Sequence, residues 1–268
     1  MTVGGMTERV DVVVVGGGVI GLAIARRLAL AGREVILLEA GPMIGGETSS
    51  RNSEVIHGGL YYPTGSLKAA LCVPGRAMLY DYCVERGVPF ARLGKLVVAV
   101  TEAEIPALQR LKAQGEANGV DDLRLMSKAE AQAMEPALAC AAALHSPSTG
   151  IIDSHQLMLA FEGEIASAGG AVVLNAPVEG GAVYNDGIML RVGGAEPMQL
   201  QCRGVVNAAG LGAQALAKAL KGLPPDHVAP LHYAKGNYFR LTTRAPFQRL
   251  IYPRPVAGGL GTHMTRDL

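Results

Sequence analysis

The chain has 268 residues, of which 49% are hydrophobic and 18% are charged, so it can bury a sizeable core and is not a disordered polymer. At roughly 150 residues per domain, this length corresponds to two domains or to one large one. The net charge of +1 gives no reason to expect a polyanionic partner, and the absence of Trp with only 4 Phe argues against stacking on nucleic-acid bases.

The first 40 residues predict a β-α-β unit. Residues 10–15 are a β-branched run without polar alternation, which is typical of a strand buried on both faces of a parallel sheet. Glycines follow at 16–18, helical apolar spacing continues over 19–31, and Gly32 is the candidate C-cap. Residues 34–39 form the second buried strand, which completes the unit.

The following region, residues 41–65, has no periodicity and is rich in Gly, Ser, Arg, Asn and His, and long loops of this kind are usually functional. Further helices are predicted at 67–86 (kinked or divided by Pro74), 102–118, 127–134 (opened by a Ser127–Glu130 capping box), 154–168 and 211–220. Further strands are predicted at 96–100, 171–174, 178–184, 188–192, 198–202, 205–206 and 232–242, with residues 185–187 as a hairpin turn.

The strand-helix alternation stops near residue 56, resumes near Ser154 and changes again after Pro224 and Pro225. This pattern predicts an α/β fold in which a Rossmann-type domain, residues 1–56 and 151–225, is interrupted by an inserted α+β domain, residues 57–150 and 226–268.

Four cysteines, Cys72, Cys83, Cys140 and Cys202, stand far apart without a Cys-x-x-Cys pair. This spacing favours neither a zinc site nor a disulfide framework, and it points to a reducing compartment. No apolar run reaches the roughly 18 residues that a bilayer crossing needs. We therefore expect a cytoplasmic protein, with a peripheral contact at the inner membrane face left open.

The chemistry-bearing motif is Gly16-x-Gly18-x-x-Gly21, which lies between the first predicted strand and helix, with Glu39 at the end of the next strand. Such glycines permit a tight turn, close approach to a pyrophosphate and close helix packing, and the acid accepts hydrogen bonds from a ribose. The motif predicts dinucleotide binding, but it does not distinguish NAD from FAD. The alternative is a glycine-rich turn with Glu39 as an ordinary surface residue.

The region after Glu39 contains the run 48–53 (TSSRNS), rich in donors suited to phosphates and a polar ring edge, and then 55–63 (VIHGGLYYP) and 65–69 (GSLKA). Together with 150–153 (GIID), 206–210 (VNAAG), 235–239 (KGNYF) and 259–263 (GLGTH), these motifs resemble the L-2-hydroxyglutarate oxidase/dehydrogenase family of D-amino-acid-oxidase-like FAD flavoproteins. Glycine oxidase and sarcosine oxidase are related to that family.

The resemblance implies FAD as the cofactor, bound by the domain of residues 1–56 and 151–225, and a substrate domain of residues 57–150 and 226–268 that covers the flavin ring. The resemblance implies that Gly16, Gly18 and Gly21 approach the pyrophosphate, Glu39 the adenosine ribose and Val178 the adenine. It further implies that Ser50, Arg51 and Asn52 lie along the pyrophosphate and flavin and that Ala208, Ala209 and Gly210 line the dinucleotide. Further cofactor contacts, without a more specific role, are Val19, Ile20, Ala40, His57 and Gly58.

The implied activity is oxidation of a small 2-hydroxy acid, L-2-hydroxyglutarate to 2-oxoglutarate, by hydride transfer to flavin N5, with oxygen or a quinone as the electron acceptor. The hydroxyl proton needs a base, and histidine is suited to this role near neutral pH. The candidates for base and orienting partner, in either order, are His57 and His263, and a structural role is the alternative for each. Candidates for carboxylate contacts, each with a packing or surface role as the alternative, are Tyr61, Tyr62, Lys235 and Arg254.

Members of the resembled family continue beyond the motif that ends at His263, so we expect a truncated product whose flavin lacks one wall. Three other functions stay open. They are an amine or amino-acid oxidase of the same fold, a non-catalytic flavin-binding protein, and an NAD-dependent dehydrogenase.

Overall fold

The computed structural model describes residues 8–255 and 261–268. Its helices are α1 (Val19–Leu30), α2 (Leu67–Arg86), α3 (Ile105–Ala117), α4 (Lys128–Met134), α5 (Ser154–Ser167) and α6 (Ala213–Ala219). Its strands are β1 (Glu8–Val15), β2 (Val35–Leu38), β3 (Val55–Ile56), β4 (Phe90–Ala91), β5 (Lys95–Ala99), β6 (Arg124–Ser127), β7 (Ala142–Ser146), β8 (Gly150–Ile152), β9 (Ala171–Val173), β10 (Val178–Tyr184), β11 (Gly187–Val192), β12 (Met198–Asn207), β13 (Leu220–Lys221) and β14 (Leu250–Pro253).

The chain divides into two compact units. Unit 1 contains Met1–Asn52 and Ser154–Gly236, and unit 2 contains Ser53–Asp153 and Asn237–Leu268. The boundaries predicted from composition fall after residues 56, 150 and 225. None of the helices in the described ranges combines the length and apolar character that a membrane crossing requires.

Unit 1 is built on a sheet with the strand order β13-β10-β11-β12-β1-β2-β9. The valines of β1 are buried, with Val13 and Val14 at 0% exposure. Strand β1 lies in the interior of the sheet, where it pairs in parallel with β2 on one side and with β12 on the other. After β1 the chain forms β2 on one side of this strand, and it later returns to form β12 on the other side. The direction of the strand order therefore reverses at β1. The carboxyl ends of β1, β2 and β12 meet at this point, which is where open α/β sheets bind ligands.

Unit 2 contains a sheet of order β14-β5-β7-β6 and a smaller one of order β3-β8-β4. Helix α3 packs its buried Leu108 and Leu111 against a core that includes Val97 and Leu144. Ser127 and Glu130 form the predicted capping box at the start of α4. In this sheet β5 is covered on both edges, by parallel pairing with β14 and antiparallel pairing with β7, so its first residue is held deep in the unit.

Helix α2 was predicted to be either kinked or divided by Pro74, and it is a single helix that the proline does not divide. Ser66 caps the amino end by accepting from Ala69 N, and Gly87 ends the helix in the left-handed region with φ 65°. Pro74 and Ala70 are both exposed, so the carbonyl that the proline ring leaves without its helical donor lies on the solvent side.

Two strand predictions also need correction. The predicted strands 198–202 and 205–206 are one strand, β12, because the register with β1 continues through the Val12–Gly204 pair, and Val205 and Val206 are half-buried rather than buried. Residues 232–242 form no strand, although they were predicted to. Their side chains are exposed and the backbone has no neighbouring strand in the described sheets, and β-propensity alone does not stabilise an unpaired strand.

Candidate functional site

In unit 1, two glycines bring three backbone segments into direct contact at the carboxyl end of β1. Gly16 has φ 110°, and a Cβ on it would lie 2.4 Å from the carbonyl oxygen of Ala208. A Cβ on Gly21 of α1 would lie 1.9 Å from the carbonyl oxygen of Gly16. Side chains at either position would therefore separate β1, α1 and the segment that follows β12. The contact explains why the motif requires glycine at these positions.

Helix α1 begins at this turn, with Gly18 as its N-cap. The amide of Val19 donates to Ser49 Oγ at 3.0 Å, and a Cβ on Gly18 would lie 3.0 Å from that oxygen. The hydroxyl thus occupies one donor of the helix N-terminus, a place where anions such as phosphate bind. Ser49 belongs to the donor-rich run noted in the sequence, although it was not among the predicted cofactor contacts.

Glu39 connects the end of β2 to the glycine turn. Its Oε2 accepts from the amide of Gly17 at 2.6 Å, and its Oε1 accepts from the amide of Gly41 at 2.7 Å. Each carboxylate oxygen has a second lone pair that can accept from a hydroxyl group. We refer to Gly16, Gly18, Gly21, Glu39, Ser49 and Ala208 together as the unit-1 cradle.

Other predicted cofactor residues of unit 1 lie near the cradle or farther along the sheet. Ser50 donates to the carbonyls of Gly46 and Glu47, Arg51 donates to Ser50, and Asn52 donates to the carbonyl of Ser49. A Cβ on Gly210 would lie 3.8 Å from Thr48 Oγ1. Ala209 is half-buried and joins the contact at Gly16, because a Cβ on Gly16 would lie 3.0 Å from its Cα. The remaining residues of this set do not join these contacts: Ile20 is 65% exposed, Ala40 is exposed and Val178 begins β10 opposite Val192.

Unit 2 contains a second candidate site, a group of polar side chains that we call the Lys95 cluster: the buried Lys95 and Tyr252 with the half-buried His57, Tyr61 and His263. Lys95 begins β5 and is 0% exposed. Its Nζ lies 4.0 Å from the ring centroid of Tyr252 and 5.0 Å from that of Tyr61. The ring of His263 stacks on Tyr252 with 4.3 Å between the centroids. The fold thus gathers one cation, two phenols and two imidazoles.

Burial governs the electrostatics of the Lys95 cluster. Desolvation lowers the pKa of Lys95 to about 7. Desolvation, reinforced by the nearby charges of Lys95 and His263, lowers the pKa of His57 to about 4, so this imidazole is neutral at physiological pH. Burial raises the pKa of Tyr61, and it raises that of Tyr252 to about 12. His57 Nδ1, Tyr61 Oη and Lys95 Nζ are all buried without a hydrogen-bond partner among the described residues.

The predicted substrate contacts are not all brought together. Tyr61 lies in the Lys95 cluster, whereas Tyr62 is a half-buried neighbour whose carbonyl accepts from Gln114 and Asn118. Arg254 pairs with Glu104 at 3.0 Å, and Lys235 is exposed in unit 1.

The motifs around His57 and His263 contain further predicted residues, Gly58 in the first and residues 259–262 in the second. Gly58 is buried, and a Cβ on it would lie 2.6 Å from Ser146 Oγ, so this glycine is needed for packing. Residues 259 and 260 of the motif around His263 lie outside the described residues. Sequence reasoning missed Lys95 and Tyr252, and the available signal for the first was a lysine that opens an otherwise apolar strand, residues 95–99.

The pKa of His57 makes stability depend on pH. In the unfolded chain the imidazole binds a proton below about pH 6.5, whereas the folded state resists protonation down to about pH 4. The contribution of the neutral His57 imidazole to the free energy of unfolding is therefore complete above pH 6.5 and is lost as the pH falls toward 4. This contribution amounts to about 3 kcal/mol. We expect the urea midpoint of the wild type to fall across this range and that of His57→Asn to fall less. The exposed His155→Asn serves as control, and an equal slope in all three proteins would contradict the expectation.

The comparisons with known proteins agree with this geometry. Residues 11–268 match the model of the DAO family, described as FAD dependent oxidoreductase. A mitochondrial L-2-hydroxyglutarate dehydrogenase from Arabidopsis thaliana is 44% identical over 97% of this chain and 60% of its own length. The chain thus spans about three fifths of the length of the curated relatives that it matches.

Two solved structures of oxidases are also similar to this chain. L-alpha-glycerophosphate oxidase from Mycoplasma pneumoniae, with FAD bound, aligns with a TM-score of 0.74 at 29% identity, over 80% of this chain and 57% of that one. Glycine oxidase from Geobacillus kaustophilus aligns with a TM-score of 0.71 at 29% identity, over 80% of this chain and 58% of that one. With the family match spanning nearly the whole chain, this protein belongs to the FAD dependent oxidoreductases of the DAO family.

Proposed function

We propose that this protein oxidises L-2-hydroxyglutarate to 2-oxoglutarate, with FAD as the oxidant. The observation that carries the proposal is the 44% identity, over 97% of the chain, to a relative named L-2-hydroxyglutarate dehydrogenase. The Lys95 cluster supports it, because a hydroxy acid needs both a proton acceptor and donors for its carboxylates.

The unit-1 cradle fits a dinucleotide. Gly16 and Gly21 leave no room for side chains, Gly18 opens the amino end of α1, and Glu39 keeps lone pairs for a ribose hydroxyl. We propose that these residues hold the pyrophosphate and ribose of FAD, with Val19, Ile20, Ala40, Ser50, Arg51, Asn52, His57, Gly58, Val178, Ala208, Ala209 and Gly210 as further contacts. When bound, FAD supplies a flavin ring that accepts a hydride from the substrate Cα.

In unit 2, the neutral imidazole of His57 is the proposed acceptor of the substrate hydroxyl proton. Loss of this proton together with the Cα hydride converts the alcohol to the ketone, and both electrons leave with the hydride. His263, held against the ring of Tyr252, is the proposed orienting partner, and it lies within electrostatic reach of His57. The proposed carboxylate contacts are Tyr61 and Tyr62, with Lys235 and Arg254 at the surface.

The remaining elements of the proposal concern where the electrons go and where the protein acts. Oxygen or a quinone is the proposed electron acceptor. The proposed compartment is the cytoplasm, with a peripheral contact at the inner membrane face, although the relatives carry "mitochondrial" in their names.

A second candidate function is oxidation of an amino acid or amine. It is supported by the similarity to glycine oxidase, at a TM-score of 0.71 and 29% identity. Because an amine and a hydroxy acid present different groups to the base, one protein is expected to discriminate between them strongly.

The test is the visible spectrum of the FAD-loaded protein during an anaerobic titration. We expect L-2-hydroxyglutarate to bleach the oxidised-flavin bands, with the D-enantiomer and glycine as matched controls that leave them unchanged. Bleaching by glycine but not by the hydroxy acid would replace the proposed function with the second candidate.

A further inference from the structure

Lys95 is the least expected residue in unit 2, because it is a cation enclosed by apolar and aromatic groups. Its side chain is 0% exposed, and Nζ finds no hydrogen-bond acceptor among the described residues. Above and beside Nζ lie the rings of Tyr252 and Tyr61. An ammonium buried in this way is destabilising, since two aromatic faces compensate only part of its lost hydration. A methionine would fill the same space without that cost.

The atoms around Lys95 indicate which kind of ligand group would satisfy its ammonium. Tyr61 Oη is a second buried donor without a partner among the described residues, and it belongs to one of the two rings that enclose Nζ. An ammonium has three donors and no acceptor, so the partner must be an acceptor, and an anionic one balances the charge. A carboxylate meets both requirements, because its two oxygens can accept from an ammonium and from a hydroxyl group at once.

We propose that Lys95 and the Tyr61 hydroxyl form a subsite for one carboxylate of a dicarboxylic substrate. Tyr252 is 3% exposed, whereas Tyr61 is half-buried, so Tyr61 forms the less enclosed wall of the subsite. The subsite itself rests on the geometry of unit 2, and its assignment to the substrate rests on the proposed function. It gives the protein a means of preferring a dicarboxylic hydroxy acid over a monocarboxylic one.

The charge state of Lys95 adds a pH signature. The titratable groups around Nζ are Cys72 on α2, His57 and Tyr61 in the loop after β3, Tyr252 on β14 and its stacked neighbour His263. With the pKa of Lys95 at about 7, the ammonium is lost as the pH rises above 7 in the empty site. Affinity for a dicarboxylate is therefore expected to fall between pH 6 and pH 9.

The experiment measures glutarate binding to the FAD-loaded chain by calorimetric titration, with butyrate as the monocarboxylic probe and inorganic phosphate as a second anion. We expect Lys95→Met to weaken glutarate binding about 10- to 100-fold and to change butyrate binding little. Its Tm is expected to equal or exceed that of the wild type. The matched control is Lys128→Met, the same substitution at an exposed position of unit 2, with unchanged binding and Tm.

Two conservative variants cover the case in which Lys95→Met does not fold. Tyr61→Phe removes only the hydroxyl and is expected to weaken glutarate binding several-fold. Lys95→Arg keeps the charge, so it is expected to bind glutarate with no fall between pH 6 and pH 9. The subsite is overturned if glutarate does not bind the wild type, if Lys95→Met or Tyr61→Phe binds it as tightly as the wild type does, if glutarate binding by Lys95→Arg falls with pH as in the wild type, or if phosphate binds the wild type as tightly as glutarate.

The same proteins separate this inference from the proposed function. If glutarate binding depends on Lys95 but L-2-hydroxyglutarate does not bleach the flavin, the subsite stands and the proposed reaction fails. If the flavin is bleached and Lys95→Met binds glutarate normally, the reaction stands and the subsite fails.

Discussion

Gly21→Ala is expected to unfold unit 1 or to empty it of FAD. The added Cβ would lie 1.9 Å from the carbonyl oxygen of Gly16, and the obstructing atom is backbone that belongs to the β1 turn, so it cannot rotate away. This clash is relieved only if α1 moves away from the sheet, and that movement would separate the helix N-terminus from the rest of the cradle. We expect a loss of about 4 kcal/mol or more, which is large for a single methyl group.

Gly163→Ala is the matched control for this prediction. It is the same substitution in α5, also a helix of unit 1, and a Cβ there would meet nothing within 4 Å. Here alanine is expected to stabilise the helix by about 0.5–1 kcal/mol, because glycine has the greater freedom in the unfolded chain. Urea unfolding and the FAD content of the purified protein measure both effects. Equal stability of the two variants would show that the close contact is absent.

Glu135→Ala is expected to produce the second large effect, in unit 2. Glu135 is 1% exposed at the end of α4, and its carboxylate accepts from the amide of Gln248 at 3.0 Å and from Arg249 Nη1 at 3.1 Å. Removal of the carboxylate leaves the amide of Gln248 without its acceptor and leaves Arg249 Nη1 only the carbonyl of Met134, at 3.2 Å, immediately before β14. The expected destabilisation is about 2–3 kcal/mol, because the carboxylate of this ion pair is buried and its amide donor loses its acceptor, although Arg249 is partly exposed.

Two variants bracket this effect. Glu135→Gln keeps an acceptor for the amide of Gln248 and is expected to lose about half as much stability. Glu116→Ala breaks an exposed pair with Lys112 on α3, and it should cost less than about 1 kcal/mol. Thermal unfolding measures all three proteins. A midpoint for Glu135→Ala equal to that of Glu116→Ala would mean that this carboxylate does not support β14.

The glycines and Glu39 of the cradle were predictable because local sequence encodes them, whereas the contacts that Ser49 and Ala208 make with this turn were not predicted. The valine run, the glycine spacing and Glu39 all belong to the first 40 residues, and the structure places Glu39 on the amide of Gly17. The capping box at Ser127 is local in the same sense. In these cases the interacting residues are close in the sequence, so the pattern contains both partners.

The Lys95 cluster was only partly predictable, because its members come from distant segments. His57, Tyr61 and His263 could be selected by residue type and motif. The burial of Lys95 depends on β14, more than 150 residues later, pairing with β5. Single-sequence reasoning likewise predicted a strand at 232–242 that has no neighbour to pair with, because pairing is a tertiary property.

The position of β12 beside β1 has a consequence for synthesis. The sheet of unit 1 begins with Glu8–Val15, but its central pairing needs Met198–Asn207, and the backbone oxygen that meets Gly16 belongs to Ala208. The first β-α-β segment must therefore wait on the ribosome with one edge of β1 unpaired while all of Ser53–Asp153 is made. High contact order of this kind slows folding and exposes the nascent chain to aggregation. The cradle cannot close around a cofactor until the last of these residues has left the exit tunnel.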